Sequence, residues 1–185
     1  MRLEEGITKF KNRIPSKRID GDHALTQTAG MVPVKKRKGT VNMKLFTIGY
    51  TQKSAEELFN ILKKNNVKKV LDVRLKNANS YCFYTHKRDF AFLLSLIGIG
   101  YEHKENWAPT ERLLNGYKNK EISWSQYVAE FSKLIRDRNL IQGVKAEDLD
   151  GCALLCAEAT PQMCHRRLLA EYFKNNFAEI EVIHL

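Results

Sequence analysis

LLCAEATPQMCHRRLLAEYF, residues 154–173, is the most informative segment of this sequence. It opens with an apolar run typical of a buried strand and ends with apolar residues at the spacing of an amphipathic helix. Two thiols, two carboxylates, an imidazole and two guanidinium groups accompany these patterns. A strand that leads directly into a helix is the repeating unit of α/β proteins. The segment therefore predicts a parallel sheet, and its polar residues form either a site or part of the core.

The same alternation of strand and helix extends through the chain from residue 43. Amphipathic segments that predict four helices alternate with five apolar runs that predict strands at residues 44–50, 67–74, 99–104, 152–158 and 179–185. Ser54, with Glu57 three residues later, has the pattern of a capping box, and Ser123 is a typical N-cap. Residues 105–121 are predicted as a loop. We therefore expect a Rossmann-like, three-layer α/β sandwich with a five-stranded, mostly parallel sheet.

Charge divides the chain into a basic N-terminal arm, residues 1–42, and a single α/β domain, residues 43–185. The net charge is +10, and residues 1–40 alone carry +6, including the run KKRK. Because these residues show no sustained helical or strand period, we predict that the arm is disordered. A basic arm can bind nucleic acid through its phosphates, whereas a solvated tail carries the same charge without a partner. The composition leaves both interpretations open.

Composition also excludes several classes of protein. No apolar run approaches the ~20 residues that a membrane helix needs, and the N-terminus lacks the apolar region of a signal peptide. Four unevenly spaced cysteines in 185 residues do not resemble a disulfide framework. We therefore expect a cytoplasmic protein with reduced thiols and no membrane partner. The sequence does not indicate its oligomeric state.

Polar residues stand at the ends of three predicted strands. The first, second and fourth strands end, in that order, with Gly49 and Tyr50, Asp72 and Arg74, and Cys156 and Glu158. Right-handed crossovers place these strand ends at one edge of a parallel sheet, where open α/β sheets bind ligands. Alternate residues of a strand share a face, so Cys156 and Glu158 are neighbours at that edge. Asp72 predicts either a buried ion pair or a site in which Arg74 holds an anionic substrate.

The helix after the fourth strand is predicted to begin with Thr160 as its N-cap and Pro161 in its first turn. Its amino end would then direct backbone amides, which favour an anion, at the same edge of the sheet. Cys164 and His165 fall on the inward face of the first turn, and Arg166 follows them. The spacing therefore brings this helix end into the candidate site.

These residues support a hypothesis of thiol chemistry. Cys156 would be a nucleophile or redox thiol, with Glu158 and His165 in acid–base roles. The predicted substrate-binding residues are Arg74, Asp72, Arg166, Gly49, Tyr50 and Cys164. In the structural alternative, Cys156 and Cys164 are small core residues and His165 is a hydrogen-bonded core side chain. Residue types and spacing leave both interpretations open.

Three fragments of the sequence resemble the domain-of-unknown-function family 488. They are TIGY at the end of the first predicted strand, DVR at the end of the second, and CAEATPQMCHR, which fits C-x-E-x-x-P-x-x-C-H-R. The resemblance covers residues 43–185, and its motif positions are Gly49, Asp72, Arg74, Cys156, Glu158, Pro161, Cys164, His165 and Arg166. Where many members have T-I-G-H-S, this chain has Tyr50 and Thr51. The resemblance implies the fold and the position of the site, but no reaction.

Three functional classes are therefore open. The first is an enzyme that acts on a phosphate-bearing or other anionic substrate, such as a nucleotide or nucleic acid. The others are a non-catalytic nucleic-acid-binding module and a sensor of a small ligand or metal. No cofactor is predicted, because C-x7-C-H matches no standard zinc pattern and adjacent Cys and His residues on one helix rarely bind one ion. Zinc or iron held by Cys156, Cys164 and His165 is the alternative.

Overall fold

A five-stranded parallel sheet lies at the centre of the computed structural model, which describes residues 42–78 and 82–185. The strands are β1 (Met43–Gly49), β2 (Lys69–Asp72), β3 (Gly100–His103), β4 (Cys152–Cys156) and β5 (Ile180–His184). The helices are α1 (Ala55–Lys64), α2 (Lys87–Ser95), α3 (Glu111–Lys118), α4 (Trp124–Asp137), α5 (Ala146–Leu149) and α6 (His165–Asn176). Two short 3-10 helices cover Phe83–Thr85 and Glu105–Trp107.

The strand order is β3-β2-β4-β1-β5, and every pairing is parallel. Gly49 of β1 lies beside Cys156 of β4, and Asp72 of β2 lies beside Leu155. The prediction of a five-stranded α/β sandwich is therefore confirmed. The register also brings the ends of β1, β2 and β4 together at one edge of the sheet.

Helices cover both faces of this sheet. Alternate strand residues such as Ile48 and Leu155 pack against α1 and α2, whereas Leu71 and Leu154 pack against α3, α4 and α6. The chain thus leaves β1 and β4, which are neighbours, toward opposite faces of the sheet. Such a divergence opens a crevice at the carboxyl ends of the two strands, where α/β proteins bind ligands.

The predicted caps of two helices are confirmed. The Ser54 hydroxyl accepts from the amide of Glu57, whose carboxylate accepts from the Ser54 amide, and this capping box begins α1. Ser123 forms the same reciprocal pair with Gln126 at the start of α4. The local sequence therefore places both helix starts correctly.

The prediction of a loop over residues 105–121 is wrong for its second half, which forms α3. Thr110 is the N-cap of α3, and its hydroxyl accepts from the amide of Leu113. The helix is only 8 residues long and contains Asn115 and Gly116, which are poor helix formers. Packing of Leu113 against the sheet compensates for this low propensity.

The predicted basic arm, residues 1–42, lies outside the described residues except for Asn42, whose side chain donates to Glu181. Within the described ranges, none of the helices combines the length and the apolar character that crossing a membrane would require.

Candidate functional site

Cys156 occupies the centre of the candidate site, at the last position of β4. Its side chain points toward the face covered by α3, α4 and α6, because Leu154, two residues earlier, packs there. The residue is 2% exposed. Cys156 therefore lies at the floor of the crevice, beneath the segment that leads to α6.

Backbone hydrogen bonds join the connection between β4 and α6 to the end of β1. The amide of Tyr50 donates to the Cys156 carbonyl at 3.3 Å, and the amide of Thr51 donates to Ala157 at 3.0 Å. Gly49 approaches this connection so closely that a Cβ atom there would lie 1.8 Å from the Glu158 carbonyl oxygen. Only glycine fits this position, which explains its place in the TIGY fragment.

Helix α6 begins later than predicted, and the N-cap role expected of Thr160 is wrong. The helix starts at His165, and Cys164 is its N-cap, with extended backbone angles of φ −128° and ψ 138°. The amide of Cys164 donates to the carbonyl of Pro161 at 3.2 Å, so residues 161–164 form a turn instead of a first helical turn. Cys164 therefore precedes the helix, and its side chain can face the same point as that of His165.

Four side chains converge at this point. The Cys156 thiol donates to Glu158 Oε2 at 2.6 Å, and the Cys164 thiol contacts the same oxygen at 3.3 Å. Nδ1 of His165 lies 3.6 Å from Cys156 Sγ. One ligand atom from each of the four residues lies within 4.8 Å of the others. We call Cys156, Glu158, Cys164 and His165 the thiol cluster.

The imidazole of His165 is held in one orientation. Its Nε2 lies 2.9 Å from the backbone carbonyl of Val73, which can only accept a hydrogen bond. In the neutral ring Nε2 therefore carries the hydrogen, and Nδ1 faces the Cys156 sulfur as an acceptor. The ring is also packed edge-on against Phe131. The thiol hydrogen of Cys156 points to Glu158, so the imidazole can take this proton once the S–H bond rotates toward Nδ1.

Burial and mutual contact set the protonation of the cluster. Burial raises the pKa of the Cys164 thiol, and the neighbouring Cys156 sulfur raises it further. Burial alone would lower the pKa of His165, but contacts with Cys164, the Val73 carbonyl and Glu158 reverse this effect and raise it. Burial would likewise raise the pKa of Glu158, yet the hydrogen bond from Cys156 and the nearby imidazole lower it. The cluster thus favours an anionic Glu158 and a protonated Cys164.

Asp72 and Arg74 form a buried ion pair on the other side of the crevice. Arg74 donates to the two carboxylate oxygens of Asp72 at 2.8 and 2.6 Å, and to the carbonyl of Thr85 at 2.8 Å. The Tyr101 hydroxyl donates to Asp72 at 2.8 Å. The guanidinium lies 5.1 Å from the ring centre of Tyr50. The ion-pair interpretation of Asp72 is therefore confirmed, and the pair fixes one wall of the crevice.

Arg166 lies behind the thiol cluster. It is 0% exposed, and Nη1 donates to the Glu158 carbonyl at 2.7 Å and to Cys164 Sγ at 3.2 Å. Its Nε has no hydrogen-bond partner in the described part of the chain. The guanidinium therefore holds the connection between β4 and α6 from its buried side and does not face the crevice.

A cavity of about 320 Å³ opens above the thiol cluster. The predicted site residues that line it are Tyr50, Arg74, Cys156, Glu158 and His165. The other four predicted residues, Gly49, Asp72, Cys164 and Arg166, contact these from behind. The structure thus brings all nine predicted residues together, with five of them facing the cavity.

Helix α3 supplies a wall that the sequence analysis missed. Its contribution to the cavity consists of Glu111, Leu114, Asn115 and Lys118. A second cavity of the same volume, lined by Tyr117, Tyr127 and Met163 among others, shares Leu114, Lys118, Glu158 and His165 with the first. Thr110 as a cap, followed by Leu113, Leu114 and Tyr117 at helical spacing, was the available signal for α3.

Comparison with known proteins identifies one family. A family model described as Domain of unknown function DUF488 matches residues 54–173. The matched range contains the Asp72–Arg74 pair and the whole thiol cluster, and it begins after Gly49. No curated protein and no solved structure matches the chain.

Proposed function

The chain belongs to the family described as Domain of unknown function DUF488, and from its site we propose that it is an enzyme acting on a small anionic substrate. The proposed reacting group is the thiol of Cys156. The proposed acid–base groups are His165 and Glu158.

The geometry of Cys156 and His165 carries this proposal. An enzyme thiol is activated when a base lies close to the sulfur and a third group orients that base. Nδ1 of His165 lies 3.6 Å from Sγ, and the Val73 carbonyl orients the ring through Nε2. The negative charge of Glu158 favours a protonated His165. Its Oε2 lies 2.6 Å from the sulfur, so this carboxylate must turn toward the imidazolium when the thiolate forms, because two negative groups repel each other. Cys156 lines the cavity, so a substrate there lies next to the nucleophilic residue.

The charges around the cavity support an anionic substrate. Arg74 and Lys76 both line it, but each is paired with a carboxylate, Asp72 and Glu111 respectively. Lys118 lines both cavities and forms no ion pair among the described residues. Glu158 also lines the cavity, but its carboxylate accepts from the thiols of Cys156 and Cys164. Lys118 is therefore the cation left to bind a phosphate or another anionic group of a substrate. The volume of about 320 Å³ suits a small molecule or the end of a longer one.

Alkylation of Cys156 by two reagents of different charge tests both parts of the proposal. Iodoacetate is anionic and iodoacetamide is neutral, so the ratio of their rate constants at Cys156 reports attraction of anions to the site. We expect this ratio to exceed that of free cysteine. In Lys118→Gln the ratio should fall about fivefold at low ionic strength, the effect of one charge contributing about 1 kcal/mol.

The matched control for this experiment is Lys64→Gln. Lys64 is exposed in the last turn of α1, at the opposite edge of the sheet. Its replacement should leave the ratio unchanged. A ratio equal to that of free cysteine in the wild-type protein would refute the anionic substrate, and failure of Cys156 to react with either reagent would refute the nucleophile.

One observation favours a second candidate function, binding of a metal ion by the thiol cluster. The four ligand atoms lie within 4.8 Å of one another. Tetrahedral zinc with two sulfur ligands places its ligand atoms roughly 3.5 Å apart, so the ligand atoms of the cluster would have to move by about 1 Å to bind an ion. The sequence argument against zinc assumed that Cys164 and His165 both lie on the helix, whereas Cys164 precedes it. The bond from His165 Nε2 to Val73 also matches the way metal-binding imidazoles are oriented.

Titration of chelator-treated protein with Zn²⁺ tests the second candidate. If the cluster binds zinc, one ion per chain is expected, and the ion should protect Cys156 from alkylation. Cys164→Ser should weaken binding by about tenfold or more, because it removes a ligand. Cys152→Ser is the control, since Cys152 lies at the far end of β4. Unchanged alkylation of Cys156 in excess zinc would rule this candidate out.

A further inference from the structure

We propose that Cys164 is a resolving thiol, which forms a reversible disulfide with Cys156 after a hydroperoxide has oxidised Cys156. This inference rests on the proposed function, because it requires a reactive Cys156 thiolate that faces the cavity. It assigns to Cys164, the second cysteine of the C-x-E-x-x-P-x-x-C-H-R pattern, a role that the proposed nucleophile Cys156 alone does not need.

The positions of the two sulfur atoms carry the inference. Both thiols contact the same Glu158 oxygen, at 2.6 and 3.3 Å, and the two sulfurs lie within 4.8 Å of each other. Residues 157–163, which connect the two cysteines, belong to no helix or strand. Ala157 and Glu158 are held by Thr51 and Arg166, so residues 160–163 are the part that can adjust to the S–S bond length of about 2.0 Å without breaking a regular element.

Access to the cavity distinguishes the two cysteines. Both are buried, at 2% and 1% exposed, but Cys156 lines the cavity, whereas Cys164 lies behind it, next to Arg166. A peroxide in the cavity therefore reaches Cys156 first. Arg166 Nη1, 3.2 Å from Cys164 Sγ, stabilises negative charge on that sulfur when it attacks.

Cys152 is poorly placed to compete with Cys164. Cys152 lies four residues from Cys156 along the same strand, a separation of about 13 Å. Its thiol donates to the Asp148 carbonyl at 3.2 Å. Within the described residues, Cys164 is the cysteine that shares a carboxylate contact with Cys156.

The chemistry proceeds in two balanced steps. In the first step, the Cys156 thiolate attacks one oxygen of the hydroperoxide and the O–O bond breaks. The leaving oxygen takes a proton from the His165 imidazolium. The products are a sulfenic acid on Cys156 and an alcohol or water. In the second step, the sulfur of Cys164 attacks the Cys156 sulfur and the S–O bond breaks. Glu158 takes the thiol proton of Cys164 and passes it to the leaving hydroxide, which departs as water. Two thiols are oxidised to one disulfide, and the peroxide is reduced.

Mass spectrometry after peroxide treatment tests the inference. Chelator-treated wild-type protein is exposed to a small molar excess of hydrogen peroxide, and the remaining thiols are blocked. Of the four cysteines, two should take up the blocking reagent and two should not. Before blocking, the oxidised chain should be about 2 Da lighter than the reduced chain, and a dithiol reductant should restore its mass. Cleavage after glutamate separates residues 148–158, which contain Cys152 and Cys156, from residues 159–171, which contain Cys164. The two peptides should be found joined by a disulfide.

Two variants identify the cysteines that form the disulfide. They also show whether a negative result contradicts this inference alone or the proposed function as well. Cys152→Ser should form the same cross-link, and Cys164→Ser should accumulate a Cys156 sulfinic acid, about 32 Da heavier, that the reductant does not restore. Oxidation of wild-type Cys156 to the sulfinic acid without a cross-link would overturn the inference and leave the proposed function standing. A Cys156 that neither oxidises nor alkylates would overturn both. A cross-link to Cys152 or Cys82 would also contradict the inference.

Discussion

Replacement of Asp72 by alanine is expected to lower the free energy of unfolding by about 3–5 kcal/mol. Asp72 and Arg74 are 0% and 4% exposed, and their side chains are joined by two hydrogen bonds. Without the carboxylate, the Arg74 guanidinium remains buried with an uncompensated charge, and the Tyr101 hydroxyl loses its acceptor. Urea denaturation followed by circular dichroism measures the change.

Two further variants make this prediction specific to the buried pair. Asp72→Ala combined with Arg74→Met should be less destabilised than Asp72→Ala alone, because it removes both charges. Glu130→Ala, which breaks an exposed ion pair with Arg112, should cost no more than about 1 kcal/mol. A loss below about 1 kcal/mol in Asp72→Ala would show that the buried pair does not hold this wall of the crevice.

Replacement of Gly49 by alanine is expected to be as damaging, at about 3 kcal/mol or more. The new Cβ would lie 1.8 Å from the Glu158 carbonyl oxygen and 3.1 Å from Arg166 Nη1. Backbone must move to relieve this overlap, and the segment that moves carries Glu158 and leads to Cys164. We therefore expect slower alkylation of Cys156 as well as a lower free energy of unfolding.

Gly116→Ala is the matched control for this substitution. Its Cβ would make ordinary contacts at 3.7 Å with Ile122, and the position lies within helix α3. Alanine there should leave stability unchanged or raise it by about 0.5–1 kcal/mol. If Gly49→Ala were as stable as Gly116→Ala, with unchanged reactivity of Cys156, this result would contradict the close contact between the end of β1 and the β4–α6 connection.

The sheet was predictable from the sequence because its strands are short apolar runs bounded by polar segments. Each predicted strand exists, with ends that differ by up to two residues, and Ser54 and Ser123 cap their helices as expected. Helix α3 was missed because Asn115 and Gly116 lower its intrinsic propensity, and packing against the sheet stabilises it.

Convergence of the site residues was also predictable, since parallel strands end at one edge. The alternation of a strand placed Cys156 beside Glu158, and the structure gives 2.6 Å between sulfur and carboxylate. The direction of Arg166 was not predictable, because it depends on where α6 begins. With Cys164 as the N-cap, the Arg166 side chain points under the connecting segment and away from the cavity.

The most direct test of the central claim is the ratio of alkylation rate constants at Cys156 and Cys152 in chelator-treated wild-type protein near neutral pH. Cys152 is the internal reference, because it is buried on the same strand and burial raises its pKa to about 11. Activation by His165 predicts that Cys156 reacts at least about tenfold faster than Cys152, and that His165→Gln removes most of this difference. Equal rates at the two cysteines, or a ratio that His165→Gln leaves unchanged, would contradict the account.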